Sequence, residues 1–153
     1  MIPLITAIIL LVPGDDPQPK LSPEAQKELK KLQGKWKILK MAGDGMEIVL
    51  GPNDKELIGE FKGTKWILGG VEEKGRVEKA EVSALDTKTD PICIDFKSLE
   101  KSRGDATDEA IYKLDGDTLT LCLYQGKGKQ RPTTFDIPKD QGTILVVMKR
   151  VKE

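Results

Sequence analysis

The chain has 153 residues, 38% of them apolar and 33% charged, with 25 basic and 25 acidic side chains and a formal net charge of zero. That size suits one domain with a short appendage and a real core, and the charge balance removes any global attraction to nucleic acid or to an anionic membrane. There is no histidine, so the commonest general base, the commonest metal ligand and the Ser-His and Cys-His dyads are all missing; two cysteines, Cys93 and Cys122, are too few for a disulfide framework or a zinc site.

Residues 1–20 form an apolar segment followed by a linker. "MIPLITAIILLV" stops at "PGDDPQPK", too short for a membrane-spanning helix, which needs ~20 apolar residues. It fits the apolar core of a secretory signal, ~7–15 residues long. No Lys or Arg precedes it, and a cut after Gly14 would leave Val12 and Gly14 at the small-residue positions. A buried strand or an apolar tail is the alternative. The expectation is export, to the periplasm or the medium, without an integral membrane span. "DDPQPK" reads as extended linker because its prolines disfavour helix and sheet. The domain proper then covers 21–153.

"SPEAQKELKKLQG" predicts a helix. Ser22 can cap it, Pro23 suits its first turn, Glu24 favours its positive end, and Gly34 lies just past its last turn. Ala25, Leu29 and Leu32 recur at helical spacing and give one thin apolar stripe. After Gly34 the period becomes alternating, and Gly, Pro and Asp interrupt it at short intervals. Eight strands are predicted, near 35–42, 56–62, 65–69, 76–85, 92–98, 109–114, 117–124 and 143–151. Short strands with tight turns and no second helix indicate an all-β antiparallel sandwich or barrel.

In "EAIYKLDGDTLTLCLY", Asp115 and Gly116 suit the centre of a two-residue turn. That register pairs Leu114 with Asp117, Tyr112 with Leu119 and Ala110 with Leu121. Ala110, Tyr112 and Leu114 then share the inner face with Leu119, Leu121 and Leu123, and Lys113, Thr118, Thr120 and Cys122 lie outside. The same parity points Ile92, Ile94 and Phe96 inward and Cys93 outward. The cysteines fall on next-but-one strands, ~9.6 Å apart, beyond the ~7 Å reach of a disulfide, so two free thiols are expected.

Trp36, Ile38 and Lys40 share one face of the first strand, and Lys35 and Lys37 the other. On the last strand Ile144, Val146, Met148 and Arg150 align. If the sheet closes, the start of the first strand meets the end of the last, and Arg150 reaches Trp36. A stacked guanidinium and indole contribute ~0.5–2 kcal/mol.

This constellation resembles the lipocalin-like β-barrels, in which Gly-x-Trp opens the first strand after a short helix and an arginine on the last strand packs over that tryptophan. Gly34, Lys35, Trp36 and Arg150 match in type, spacing and order. The resemblance implies an up-and-down barrel of about eight strands with one short N-terminal helix. Over residues 26–150, "LQGKWKI", "YKLDGDTLTLCL", "RPTTF" and "ILVVMKR" are similar to the signature runs of a lipocalin-like domain family of uncharacterised function, abundant in planctomycete bacteria. Its members often follow a signal peptide or are fused to other domains. The runs, with Gly34, Trp36, Asp115, Gly116 and Arg150, look architectural, so no catalytic residue is carried over, and no cofactor or metal is implied.

Three functions fit such a barrel. One is a non-enzymatic extracytoplasmic module that holds a small apolar ligand at its open end, with Phe61, Phe96, Tyr112 and Phe135 as candidate cavity residues. An open apolar void of ~300 Å³ or more would favour it. Another is a structural or protein-interaction module with a filled barrel, acting through loops such as "QGKGKQRP" and "EKSRGDATD". The Arg103-Gly104-Asp105 tripeptide in the second loop is too short a match to signify. A third is an enzyme that works through Tyr, Lys or carboxylates alone. Asp115 and Asp117 do not have calcium-loop spacing, and no glycine loop is placed to cradle a phosphate.

Overall fold

The computed structural model describes residues 20–69, 78–101, 104, 106–124, 131–137 and 142–152. The apolar start, Arg103 and Asp105 of the tripeptide, and 125–130 of the lysine-rich loop lie outside the described residues. Among the described residues one helix, α1 (Pro23–Leu32), precedes nine strands: β1 (Gly34–Gly43), β2 (Met46–Val49), β3 (Ile58–Lys62), β4 (Lys65–Gly69), β5 (Glu78–Asp86), β6 (Ile92–Ser98), β7 (Thr107–Asp115), β8 (Thr118–Tyr124) and β9 (Thr143–Arg150). β1 and then β3 to β9 follow one another round the sheet, and β9 pairs with β1. All pairings are antiparallel. The chain is therefore an all-β, closed eight-stranded barrel with one short helix, and β2 is an extra ribbon on one edge.

Closure follows from the ends of the domain. Trp36 and Arg150 are direct partners across the β1–β9 ladder, and the guanidinium sits 4.3 Å above the indole. The Arg150 Nη1 and Nη2 donate to the Gln33 and Lys31 carbonyls at 2.9 and 2.7 Å. These carbonyls belong to the last turn of α1, where the helix dipole is negative, so the cation is doubly placed. The Trp36 Nε1 donates to the Leu32 carbonyl at 2.8 Å, and Trp36 is fully buried. Gly34, at φ 108°, makes the tight passage from helix to strand. Ser22 caps α1, its Oγ accepting from the Ala25 N–H at 3.1 Å. Ala25, Leu29 and Leu32 face the barrel and are buried. The helix plugs this end.

Two features of β1 differ from the sequence expectation. A bulge between Ile38 and Lys40 reverses the alternation. Lys40 therefore leaves the face of Trp36 and reaches Glu47 at 3.1 Å, while Met41 turns inward opposite Val146. β1 is also long enough to have two neighbours on one edge: β3 along Gly34–Lys37 and β2 along Lys40–Gly43. β2 was not predicted, because none of its residues is buried and it carries no inward pattern.

The β7–β8 hairpin keeps the predicted faces but not the predicted register. Asp115 pairs with Thr118, Leu114 with Leu119, Tyr112 with Leu121 and Ala110 with Leu123. The two turn residues are Gly116 and Asp117, with positive φ only at Gly116 (57°). One left-handed residue at the first turn position suffices for a hairpin turn that needs glycine there. The ladder slides by one residue on each strand, so every side chain keeps its side.

Candidate functional site

The inward columns of the strands begin apolar at the helix-covered end. Met148 and Leu119 are paired neighbours, and Ile94 and Tyr112 join them in the buried core. This half of the barrel is filled. A cavity of about 140 Å³ remains toward the other end. Its walls are Ile38, Met41, Val146 and Met148 from β1 and β9, Leu121 and Leu123 from β8, Trp66 and Leu68 from β4, and Phe96 from β6. Its outer rim is made by the strand ends farthest from α1: Lys79, Ser98, Glu100, Asp108 and Ile144. The volume is about half of the ~300 Å³ that marks ordinary ligand pockets, and close to that of an apolar cavity that takes up benzene.

Trp66 is the residue that shapes this space, and composition alone did not single it out. Its indole lies across the backbone of Gly59, where an added Cβ would come 1.9 Å from Cη2. Glycine at 59 is thus required by the close approach of the ring. Phe61 packs behind it, with centroids 4.6 Å apart, and meets Phe96 at 6.3 Å. The signal available in the sequence was parity: Trp66 alternates with Leu68 in "KWILG", on the face that pairs with Phe61 and Gly59.

Among the other candidates for cavity lining, Phe96 lies in the wall, and Phe61 supports the wall from behind. Tyr112 sits in the filled half, its hydroxyl donating to Glu28 Oε1 of α1 at 3.2 Å. Burial, reinforced by the Glu28 charge and that hydrogen bond, pushes its phenol well above the ordinary value. Phe135 is not in the barrel. It lies on the outer wall, its ring 4.7 Å beneath the ammonium of Lys113. The segment containing it, 131–137, straps the outside of β6 and β7. The Arg131 Nη1 donates to the Ala110 carbonyl at 2.9 Å and lies 2.7 Å from Asp95 Oδ1, a charge contact rather than an aligned hydrogen bond. Asp115 and Gly116 form the β7–β8 corner, and Gly34, Trp36 and Arg150 the plugged end; none of these five lines the cavity.

Two side chains on the outward face near the strap are buried. Ile111 lies between the strap's two anchor points on β7 and, with Cys122 opposite it on β8, is almost fully shielded. Both cysteines are free thiols, separated by Ile111 in the ladder. Burial pushes the Cys122 thiol up to about 11, which makes it a poor nucleophile at neutral pH.

Among the described residues no cluster of three or more cysteines or carboxylates could hold a metal ion, and no helix is long and apolar enough to cross a membrane. In comparisons with known proteins, no family model, no curated protein and no solved structure matches the chain.

Proposed function

We propose that the protein is a non-enzymatic, extracytoplasmic binding module that takes a small, mainly apolar molecule into the unplugged half of its barrel. The observation that carries this reading is the cavity of about 140 Å³, whose walls are apolar and whose polar groups are confined to its outer rim. A pocket with that division desolvates an apolar body at little cost and leaves the polar end of a ligand near water. Its size favours ligands of about benzene's bulk and disfavours long acyl chains. The extracytoplasmic part rests on the apolar run "MIPLITAIILLV" and on the resemblance to lipocalin-like domains that follow signal peptides.

Titration with benzene, followed by methyl NMR, tests the binding part. Saturable shifts are expected at Met41 and Met148 in the cavity, with none at Ile111 beneath the strap. An unchanged spectrum at both methionines would sink the reading.

A second reading has its own support. Met46, Ile48 and Val49 of β2 are 70%, 52% and 65% exposed, more apolar surface than a four-residue ribbon needs. A protein-interaction module would use it. Native mass spectrometry separates the two: a bound small molecule favours the first reading, and a dimer with an empty barrel favours the second.

A further inference from the structure

Two rows of inward side chains meet at the wall that carries Trp66. One row runs across the ladders from Phe61 on β3 to Trp66 on β4, Ala80 on β5 and Ser98 on β6. The row beside it runs from Trp36 on β1 to Gly59 on β3 and Leu68 on β4. Small residues therefore flank the indole on both sides, Gly59 toward β3 and Ala80 toward β5. The ring takes the glycine side. A Cβ at 59 would lie 1.9, 2.3 and 2.7 Å from its Cη2, Cζ2 and Cζ3, so its six-membered ring rests on the main chain of β3. Phe61 packs against it with centroids 4.6 Å apart. Ala80 and Ser98 line the cavity, whereas Gly59 and Phe61 lie behind the indole. The void thus stands on the flank that the ring leaves vacant.

This placement sets the size of the ligand partly from outside the cavity. A side chain has only a few staggered ways to leave its strand, and glycine at 59 makes available the one that folds the indole back onto β3. A methyl group at 59 closes that position and drives the ring toward Ala80, into the space a ligand needs. Removing the indole has the opposite effect, because Gly59 has no side chain to refill the gap, which then joins the cavity. Resting on the binding reading above, we propose that Gly59 and Trp66 act as a pair that limits the ligand to a single ring. Gly59 holds the indole out of the cavity, and the bulk of the indole excludes a second ring. Trp66 is thus the specificity-determining residue, and Gly59 is a positioning residue that acts through it.

The test uses the purified full chain and two probes, benzene and naphthalene, followed by methyl NMR of Met41 and Met148. The parent is expected to bind benzene at least about tenfold more tightly than naphthalene, the scale set by overpacking a wall with a second ring. Gly59→Ala should weaken benzene binding at least about tenfold, although position 59 lies behind the wall, and Gly59→Ala/Trp66→Leu should restore it. Trp66→Leu alone should reverse the preference in favour of naphthalene. Leu123→Ala removes a comparable volume from β8, on the far side of the barrel from β4, and should leave benzene preferred. Cooperative thermal unfolding shows that each variant is folded, and Trp66→Phe, which keeps a ring against Gly59, should give an intermediate preference. Three results would overturn the pairing and leave the binding reading standing: equal binding of both probes by the parent, unchanged benzene binding in Gly59→Ala, or a shift in Leu123→Ala as large as in Trp66→Leu. Benzene silent in both the parent and Trp66→Leu overturns the binding reading as well.

Discussion

At the scale of single residues, two contacts dominate. Arg150 stacks on Trp36, donates to the Gln33 and Lys31 carbonyls, and lies 3.6 Å from Asp117. Lysine keeps the charge but cannot supply the planar fork that spans two carbonyls while stacking on a ring. Arg150→Lys should therefore destabilise the fold by about 1–3 kcal/mol. Urea unfolding checks this, and a variant as stable as the parent would show that the stack is incidental. The second contact is the indole of Trp66 on Gly59. Gly59→Ala forces a Cβ into the ring, and overpacking of this kind costs about 1–3 kcal/mol. Replacing the indole with a smaller group should relieve it, so Gly59→Ala/Trp66→Leu should be less destabilised than the sum of its parts. Strict additivity would deny the contact. Trp36 and Arg150 were legible because each lies at a punctuated strand end of fixed parity. Gly59 was not, since nothing local distinguishes a glycine that yields space to a ring from one that breaks a strand.

At the scale of elements, the helix and most strands were readable from caps, turn residues and alternation. What escaped reading has specific physical causes. The bulges in β1 and β5 each insert one residue, and an inserted residue changes parity without changing composition. That is why Lys40 was placed on the wrong face. The hairpin register slipped because Asp115-Gly116 and Gly116-Asp117 are both acceptable turn pairs, and the apolar pattern is satisfied by either. The strap at 131–137 has no periodicity, and Phe135, apolar in a polar loop, looked like a core residue. Its ring instead serves Lys113 on the outer wall. The strap makes its own prediction. In the native protein a thiol reagent should modify half-buried Cys93 and leave Cys122, fully shielded, untouched. Arg131→Ala removes the anchor on Asp95 and the Ala110 carbonyl and should speed modification of Cys122 at least about fivefold through local opening. Mass-spectrometric mapping of the labelled site decides it. Rapid labelling of Cys122 in the parent chain would refute the shielding.

At the scale of the whole molecule, stability should decline in alkali. The folded state holds the protons of Cys122 and Tyr112 more tightly than the unfolded chain, because burial penalises thiolate and phenolate alike. That contribution is complete below the ordinary thiol value of 9.0 and is lost as pH climbs from there toward about 11. The phenol extends the loss upward from its ordinary 10.0. Urea midpoints measured between about pH 8 and 10.5 should therefore fall, with the early part absent in Cys122→Ala and the late part absent in Tyr112→Phe. A flat profile in the parent would contradict the burial of both groups.

The pairing of Trp36 with Arg150 also has a consequence in time. The two halves of the seam are more than a hundred positions apart in the chain, and contacts of such long range form slowly. During synthesis the early strands must wait, their lumen-facing side chains wet and one edge open, until the final strand emerges from the ribosome. The barrel thus closes only once β9 is available to pair with β1, and until then the unpaired chain is a natural client for chaperones.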